Sequence, residues 1–218
     1  MKRSTIVGVI AVGATVLTGC KKELPPNVGS GVQKSELRNL PQFQKLRASG
    51  SVNVELKLGE VCQAEITTDD NLLSLVTTAM KGDLLEVSSA PKRKPRVPIR
   101  VRLCSNTLEL LAVEGGSTVT ASRLNAQALV VKAAGAAEIK LEGSATNVDV
   151  HLRTASKANL SAFSTSGAKA LIDQAAALEM GHVETLDVTI TGPGLVSYRG
   201  DPKVTSSRGK LGRIIRKP

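Results

Sequence analysis

Apolar and polar residues alternate along most of the chain, and the alternation comes in blocks that resemble one another. Leu129–Ile139 reads Leu-Val-Val-Lys-Ala-Ala-Gly-Ala-Ala-Glu-Ile, and Leu186–Val196 reads Leu-Asp-Val-Thr-Ile-Thr-Gly-Pro-Gly-Leu-Val. Each has alternating apolar residues, a stretch of small residues, and then an apolar residue that opens the next alternation. Val150–Leu160 fits this frame around Thr154-Ala155-Ser156-Lys157-Ala158, and Leu111–Val119 fits around Glu114-Gly115-Gly116-Ser117. A weaker copy ends at Leu178 after Ala175-Ala176-Ala177. The closing residues Val119, Ile139, Leu160, Leu178 and Val196 follow one another at 20, 21, 18 and 18 residues. Period two means strands. A unit this short cannot bury its apolar face alone, whereas stacked units can. Small residues at the same place in each unit suit a sharp corner where coils approach closely. The pattern predicts an all-β fold, a β-solenoid (parallel β-helix-like) of about five to seven coils. Its interior should hold Val113, Val131, Ile139, Leu141, Val148, Val150, Leu152, Leu160, Leu186, Val188, Ile190 and Val196. An antiparallel sandwich would not require a repeat of this period. Asp69 and Asp70 before Leu72, Leu75 and Val76 predict a capped short helix near residues 70–79, closing one end.

Several segments carry a family likeness. They are Phe43–Glu55 (Phe-Gln-Lys-Leu-Arg-Ala-Ser-Gly-Ser-Val-Asn-Val-Glu), Asp70-Asn71-Leu72-Leu73 with Lys81-Gly82-Asp83-Leu84, and Glu184-Thr185-Leu186-Asp187-Val188. Gly192-Pro193-Gly194 and the run from Tyr198-Arg199-Gly200-Asp201-Pro202 to Val204 complete them. Together they resemble the putative auto-transporter adhesin head GIN domain family, over about Gly29 to Gly212. The resemblance implies a β-helix-like fold, a cell-envelope location and no established enzyme activity. Members of that family carry Ser-Gly-Ser-Gly-Asp at each corner. Here the corners read Ala-Ala-Gly-Ala-Ala, Thr-Ala-Ser-Lys-Ala and Ala-Ala-Ala.

The first twenty residues break the pattern. Lys2 and Arg3 precede an uncharged run, Ile6–Leu17, which is short of the roughly twenty residues a membrane-spanning helix needs. A cationic start, a short apolar core and small residues after it read as a secretory signal. Leu17-Thr18-Gly19-Cys20 resembles the lipobox of bacterial lipoproteins, which implies cleavage before Cys20 and a diacylglycerol on its thiol. Lys21, where an Asp would favour inner-membrane retention, implies the outer membrane by the same resemblance. The expected organisation is a removed signal at 1–19, a lipid-anchored flexible tether at 20–33, a solenoid domain at 34–206 and a loosely ordered basic tail at 207–218. The covalent lipid on Cys20 is the only prosthetic group expected, and the membrane is the first partner.

Charge adds candidate contacts. The formal charge is +10, and loss of Lys2 and Arg3 lowers it by two to +8. The excess concentrates in Lys92, Arg93, Lys94 and Arg96, with Arg100 and Arg102 following, and in Arg208, Lys210, Arg213, Arg216 and Lys217. Such clusters can bind anionic polymers or lipid head groups, and they can equally be a solvated basic face. Nucleic acid is a poor fit, because the chain is exported and Phe43, Phe163 and Tyr198 are its only aromatic residues.

Cys62 and Cys104 remain once Cys20 is lipidated. In an oxidising compartment they can pair, closing a loop of about 43 residues worth roughly 4 kcal/mol in the chain-entropy model. Strand parity points the other way. Inward Ile99, Val101 and Leu103 turn Cys104 outward, whereas inward Ala64 and Ile66 turn Cys62 inward. Bonded and free cysteines therefore stay equally open. His151 and His182 stand alone, and no Gly-x-Ser-x-Gly, Cys-x-x-Cys, His-Glu-x-x-His or Walker motif occurs. No catalytic or metal-ligating residue is therefore assigned. A lyase of acidic polysaccharide would have to draw on Arg153, Lys157, Lys132 and Lys140, with Asp149 and Glu138 as sparse acids. The expected function is a non-enzymatic envelope lipoprotein whose solenoid surface serves adhesion or protein or polymer binding. A binding lipoprotein for anionic glycans or lipids is second, and a polysaccharide lyase-like enzyme is a distant third.

Overall fold

The computed structural model describes residues 27–90, 92 and 94–218. Among these residues, sixteen strands form one sheet wound into a parallel β-solenoid of about 5 turns. In chain order they are β1 (Gln33–Arg38), β2 (Lys45–Ser49), β3 (Asn53–Leu58), β4 (Ala64–Asp69), β5 (Val76–Lys81), β6 (Leu84–Ser89), β7 (Arg100–Ser105) and β8 (Leu110–Glu114). The coils proper follow as β9 (Thr118–Ala134), β10 (Glu138–Leu152), β11 (Lys157–Ile172), β12 (Ala177–Met180), β13 (Val183–Ile190), β14 (Leu195–Tyr198), β15 (Lys203–Arg208) and β16 (Arg213–Arg216). One side of the solenoid stacks β3, β9, β10, β11, β12, β14 and β16 in parallel, and the other stacks β8, β9, β10, β11, β13 and β15.

Alternation in the sequence becomes columns in the core. One column runs Val54, Val119, Ile139, Ala158, Leu178, Val196 and Ile214. Another runs Leu46, Leu111, Val131, Val150, Ala170, Val188 and Ser206. All twelve residues expected inside are buried. The register differs from expectation at one coil. Ala158, not Leu160, stands beside Ile139, and Leu160 stands beside Met180. Both point inward, so a two-residue slip leaves the apolar pattern unchanged, and periodicity cannot choose between them. The register itself shifts between Lys140 and Glu142.

Corners need backbone room. Gly115 and Gly135 have φ of 73° and 80°, and a Cβ on Gly135 would lie 3.1 Å from the Gly115 nitrogen. This is the close approach that small residues predict. Later corners keep the left-handed backbone without glycine: Thr154 and Ala155 have φ of 53° and 59°, and Gln174 and Ala175 have 50° and 42°.

The N-terminal end is built differently. β1 pairs β4, β4 pairs β7 and β5 pairs β6, all antiparallel. The helix expected near residues 70–79 is a single 3-10 turn, Leu73–Leu75, with Val76 already extended. The reason lies in the residues. No side chain caps the turn, and Val76, Thr77 and Thr78 favour a strand. Asp69 is engaged elsewhere. Residues 27–33 of the expected tether are docked on this end, while the stretch from Cys20 to residue 26 lies outside the described residues. Past Arg208, where loose order was expected, Arg213–Arg216 forms β16 on β14.

Candidate binding surfaces

The expected basic cluster precedes and enters β7. Lys92, Lys94, Arg96 and Arg100 are exposed, and the Arg93 side chain lies outside the described residues. Lys94 belongs to the framework through its backbone: its N–H donates to Asn27 O (2.8 Å), and its carbonyl accepts from Gly29 N (3.0 Å). The Arg96 guanidinium donates to Ser30 O at 3.4 Å. Arg102 lies between two carboxylates, 2.9 Å from Glu65 and 3.4 Å from Glu55. The hydrogen bond to Glu65, with the charges of both glutamates, raises the Arg102 pKa above its ordinary value.

Beside it, Cys62 and Cys104 form a disulfide with a Cα–Cα distance of 5.5 Å. Cys104 sits on β7, half-buried between inward neighbours, as parity requires. Cys62 is exposed, because it precedes β4, and the alternation of Ala64 and Ile66 does not reach it. The bond ties the antiparallel end to the first parallel rungs.

Asp69 is the buried acid of the molecule's N-terminal end. Its Oδ1 accepts from Gly31 N at 2.7 Å, and its Oδ2 from Arg96 N and Val97 N at 2.9 and 3.1 Å. Burial pushes its carboxyl up, but the backbone donors Val97, Gly31 and Arg96 outweigh that and hold it below its ordinary value. Asn71 reinforces the junction, donating to Val28 O at 2.9 Å and accepting from Ser30 N at 3.0 Å. Sequence reasoning took Asp69 for a helix cap. The signal it passed over was Gly29-Ser30-Gly31, a stretch with room for a carboxylate to approach the backbone.

The residues a lyase would need are dispersed. Glu138, Lys140 and Lys157 line one side, in a groove of about 520 Å³. Asp149 lies on another side, in a groove of about 590 Å³, and Lys132 and Arg153 line a third hollow with His151. Lys140 pairs with Glu142 at 2.7 Å, Lys157 with Glu138 at 3.9 Å and Arg153 with Asp173 at 3.9 Å. His151 meets Asp149 at 2.9 Å on the outer face of β10, and His182 is exposed. These are surface pairs between neighbouring positions on or across strands, and such pairs contribute little.

At the C-terminal end, Lys203, Arg208, Lys210, Arg213, Arg216 and Lys217 crowd the last coil. Among the described residues Asp201 answers Arg216 at 3.2 Å and Glu179 answers Lys217 at 2.8 Å. Leu211 and Ile215 are exposed beside them.

Residues 42–202 match the family model described as putative auto-transporter adhesin, head GIN domain. The chain belongs to that family. Membership in an adhesin-head family implies an envelope or surface-exposed protein. The fold is shared with a putative adhesin from Bacteroides fragilis NCTC 9343, at TM-score 0.71 and 18% identity, covering 87% of this chain and 99% of that one. A putative adhesin from Parabacteroides merdae ATCC 43184 aligns at TM-score 0.56 and 16% identity, over 88% of this chain and 98% of that one. A putative lipid binding protein from Parabacteroides distasonis ATCC 8503 gives TM-score 0.48 and 16% identity, over 88% and 99%. No curated protein matches the chain.

Proposed function

We propose that this protein is a non-enzymatic, lipid-anchored envelope module whose rigid solenoid presents long outer faces to a partner protein or polymer. The observation that carries it is the regularity of those faces. Parallel ladders run from β9 to β16 on one side and from β9 to β15 on the other, and their outward side chains are mostly polar or charged groups in aligned rows, such as Thr118, Glu138 and Lys157 or Asp149, Lys169 and Asp187. Such rows suit many weak contacts distributed along a polymer or a protein surface. The lipid on Cys20, with Lys21 in second place, accounts for retention at a membrane, the outer one in a diderm cell. Two or more acyl chains hold a protein firmly, because each buried methylene contributes about 0.8 kcal/mol. Cys20→Ser should abolish incorporation of labelled fatty acid and release the protein from membranes. Retention of label would refute the anchor.

The second reading, binding of anionic glycans or lipids, draws on the exposed Lys92, Lys94 and Arg96 and on the cations of the last coil. Salt separates the two. Envelope fractions captured by the protein at low ionic strength should stay bound at high ionic strength if packed contacts dominate, and should be lost if charge does. Detectable turnover of an acidic polysaccharide would overturn both.

A further inference from the structure

The two sides of the last coil, β15 and β16, point polar and charged residues inward at positions where the coils stacked before them are mostly apolar. The column Val131, Val150, Ala170, Val188 arrives at Ser206. The column Ala133, Leu152, Ile172, Ile190 arrives at Arg208, and Tyr198 is followed by Arg216. Val204 and Ile214 remain apolar but are only half-buried. Another apolar coil would therefore bury a hydroxyl and two guanidinium groups, Arg208 paired with Gly212 O and Arg216 with Asp201, which is unfavourable.

Yet the edge is not closed. Among the described residues β15 pairs only with β13, and β16 only with β14. Their far sides offer unpaired backbone N–H and C=O groups, a ready template for an added strand. The opposite end ties its own edges together: Arg38 of β1 donates to Val76 O at 2.8 Å and to Thr78 Oγ1 at 3.1 Å on β5. Among the described residues no comparable side-chain hydrogen bond joins β15 to β16. Arg208 instead donates to Gly212 O at 2.9 Å within the connecting turn.

Strand addition satisfies the backbone groups, the half-covered Val204 and Ile214 cap a short apolar strip, and the inward and rim cations demand negative charge opposite. We propose that the edge of β15 and β16 receives an acidic, extended segment of a partner protein as an added strand, its carboxylates facing Arg208, Arg213 and Arg216. An anionic lipid surface would meet the cations but leave the strand amides unpaired. The proposal rests on the reading of the domain as a binding module and names the partner's chemistry.

The test uses the full chain and a labelled synthetic peptide of about six residues, a typical strand length, alternating valine and glutamate. Anisotropy should report saturable binding, and amide hydrogen exchange should slow within β15 or β16. Arg208→Ser combined with Arg213→Ser and Arg216→Ser should weaken binding roughly tenfold or more. Lys203→Glu with Lys210→Glu, which leaves the inward positions alone, should weaken it as well, so a folding defect in the first variant does not decide the outcome. Polyglutamate bound as tightly, with no slowing of exchange, would overturn strand addition in favour of charge alone. Binding to phosphatidylglycerol vesicles without binding to the peptide would overturn it in favour of a lipid surface. If neither peptide nor vesicle binds while envelope capture survives both variants, this proposal falls and the binding-module reading stands. If envelope capture also fails, both fall.

Discussion

The two ends of the solenoid solve the same problem in opposite ways. Any stack of coils ends in a strand edge, and an exposed edge invites unwanted pairing. At the N-terminal end the chain reverses direction, lays antiparallel strands over the stack, bridges them with Arg38, closes them with the Cys62–Cys104 disulfide and locks the incoming segment onto Asp69. At the C-terminal end, among the described residues, there is no such layer; the inward residues change to Ser206, Arg208 and Arg216, and cations crowd the rim. The corners vary too, with left-handed glycine at Gly115 and Gly135 and left-handed non-glycine pairs at Thr154–Ala155 and Gln174–Ala175. One end invests in connections. The other uses charge, which repels copies of itself while leaving its backbone open.

That contrast can be broken experimentally, beginning where the effect is largest. Reduction of the disulfide, or Cys62→Ser with Cys104→Ser, should remove about 4 kcal/mol of stability in the chain-entropy model. Denaturant melts with and without reductant would measure it, and a loss near zero would mean that the antiparallel end holds without its covalent tie.

Asp69→Asn should cost about 2 kcal/mol, since it sets an amide against three backbone donors in a buried site. Acid gives an independent check. The folded carboxyl titrates below its unfolded value, so its stabilisation is fully present above the unfolded value of about 3.9 and fades as the pH falls through the folded value. Stability curves of the native protein and Asp69→Asn should therefore converge below about pH 4. Parallel curves would assign the junction to other groups.

Ile214→Ala, in the half-buried last position of its column, should cost only about 1 kcal/mol, against about 3 kcal/mol for Leu46→Ala, fully buried between coils on both sides. Equal losses would show that something covers the last coil. Smallest of all, Ala155→Gly should gain about 0.5 kcal/mol, because relief of a left-handed alanine slightly exceeds the added entropy of the unfolded chain. Thermal melts resolve a shift of this size, and a loss would mean that the corner is not strained.

Much of the coil region was legible in the sequence. Period-two alternation specifies which residues face inward whatever the neighbouring coil does, so Val131, Val150, Leu186 and their kind are buried as expected. Register was less legible, because Ala158 and Leu160 are equivalent under a slip of two. The N-terminal end was least legible. Antiparallel capping depends on contacts between residues far apart in sequence, such as Gly31 with Asp69 and Arg38 with Val76, and no local pattern announces them. Cys62 shows the limit of parity: a rule about strands says nothing of a residue two positions outside a strand. Of the candidate surface residues, Lys92, Lys94 and Arg96 are exposed as a basic segment should be, and Arg102 is paired with Glu65 and Glu55 on neighbouring strands.

The rung made by β2 and β3 has a position no other rung shares. Although it comes early in the chain, β2 lies between β6 and β8, and β3 lies between β7 and β9. The fifty-odd residues that follow it stack on one side, and everything from Leu110 onward stacks on the other. The molecule therefore grows outward from Lys45–Leu58 in both directions, and a chain delivered N-terminus first has this template in hand, with only β1 before it, when the rest of each half arrives. Leu46 and Leu56, fully buried in that rung, belong to both halves at once, and order lost there would leave cap and coils as two unfinished pieces.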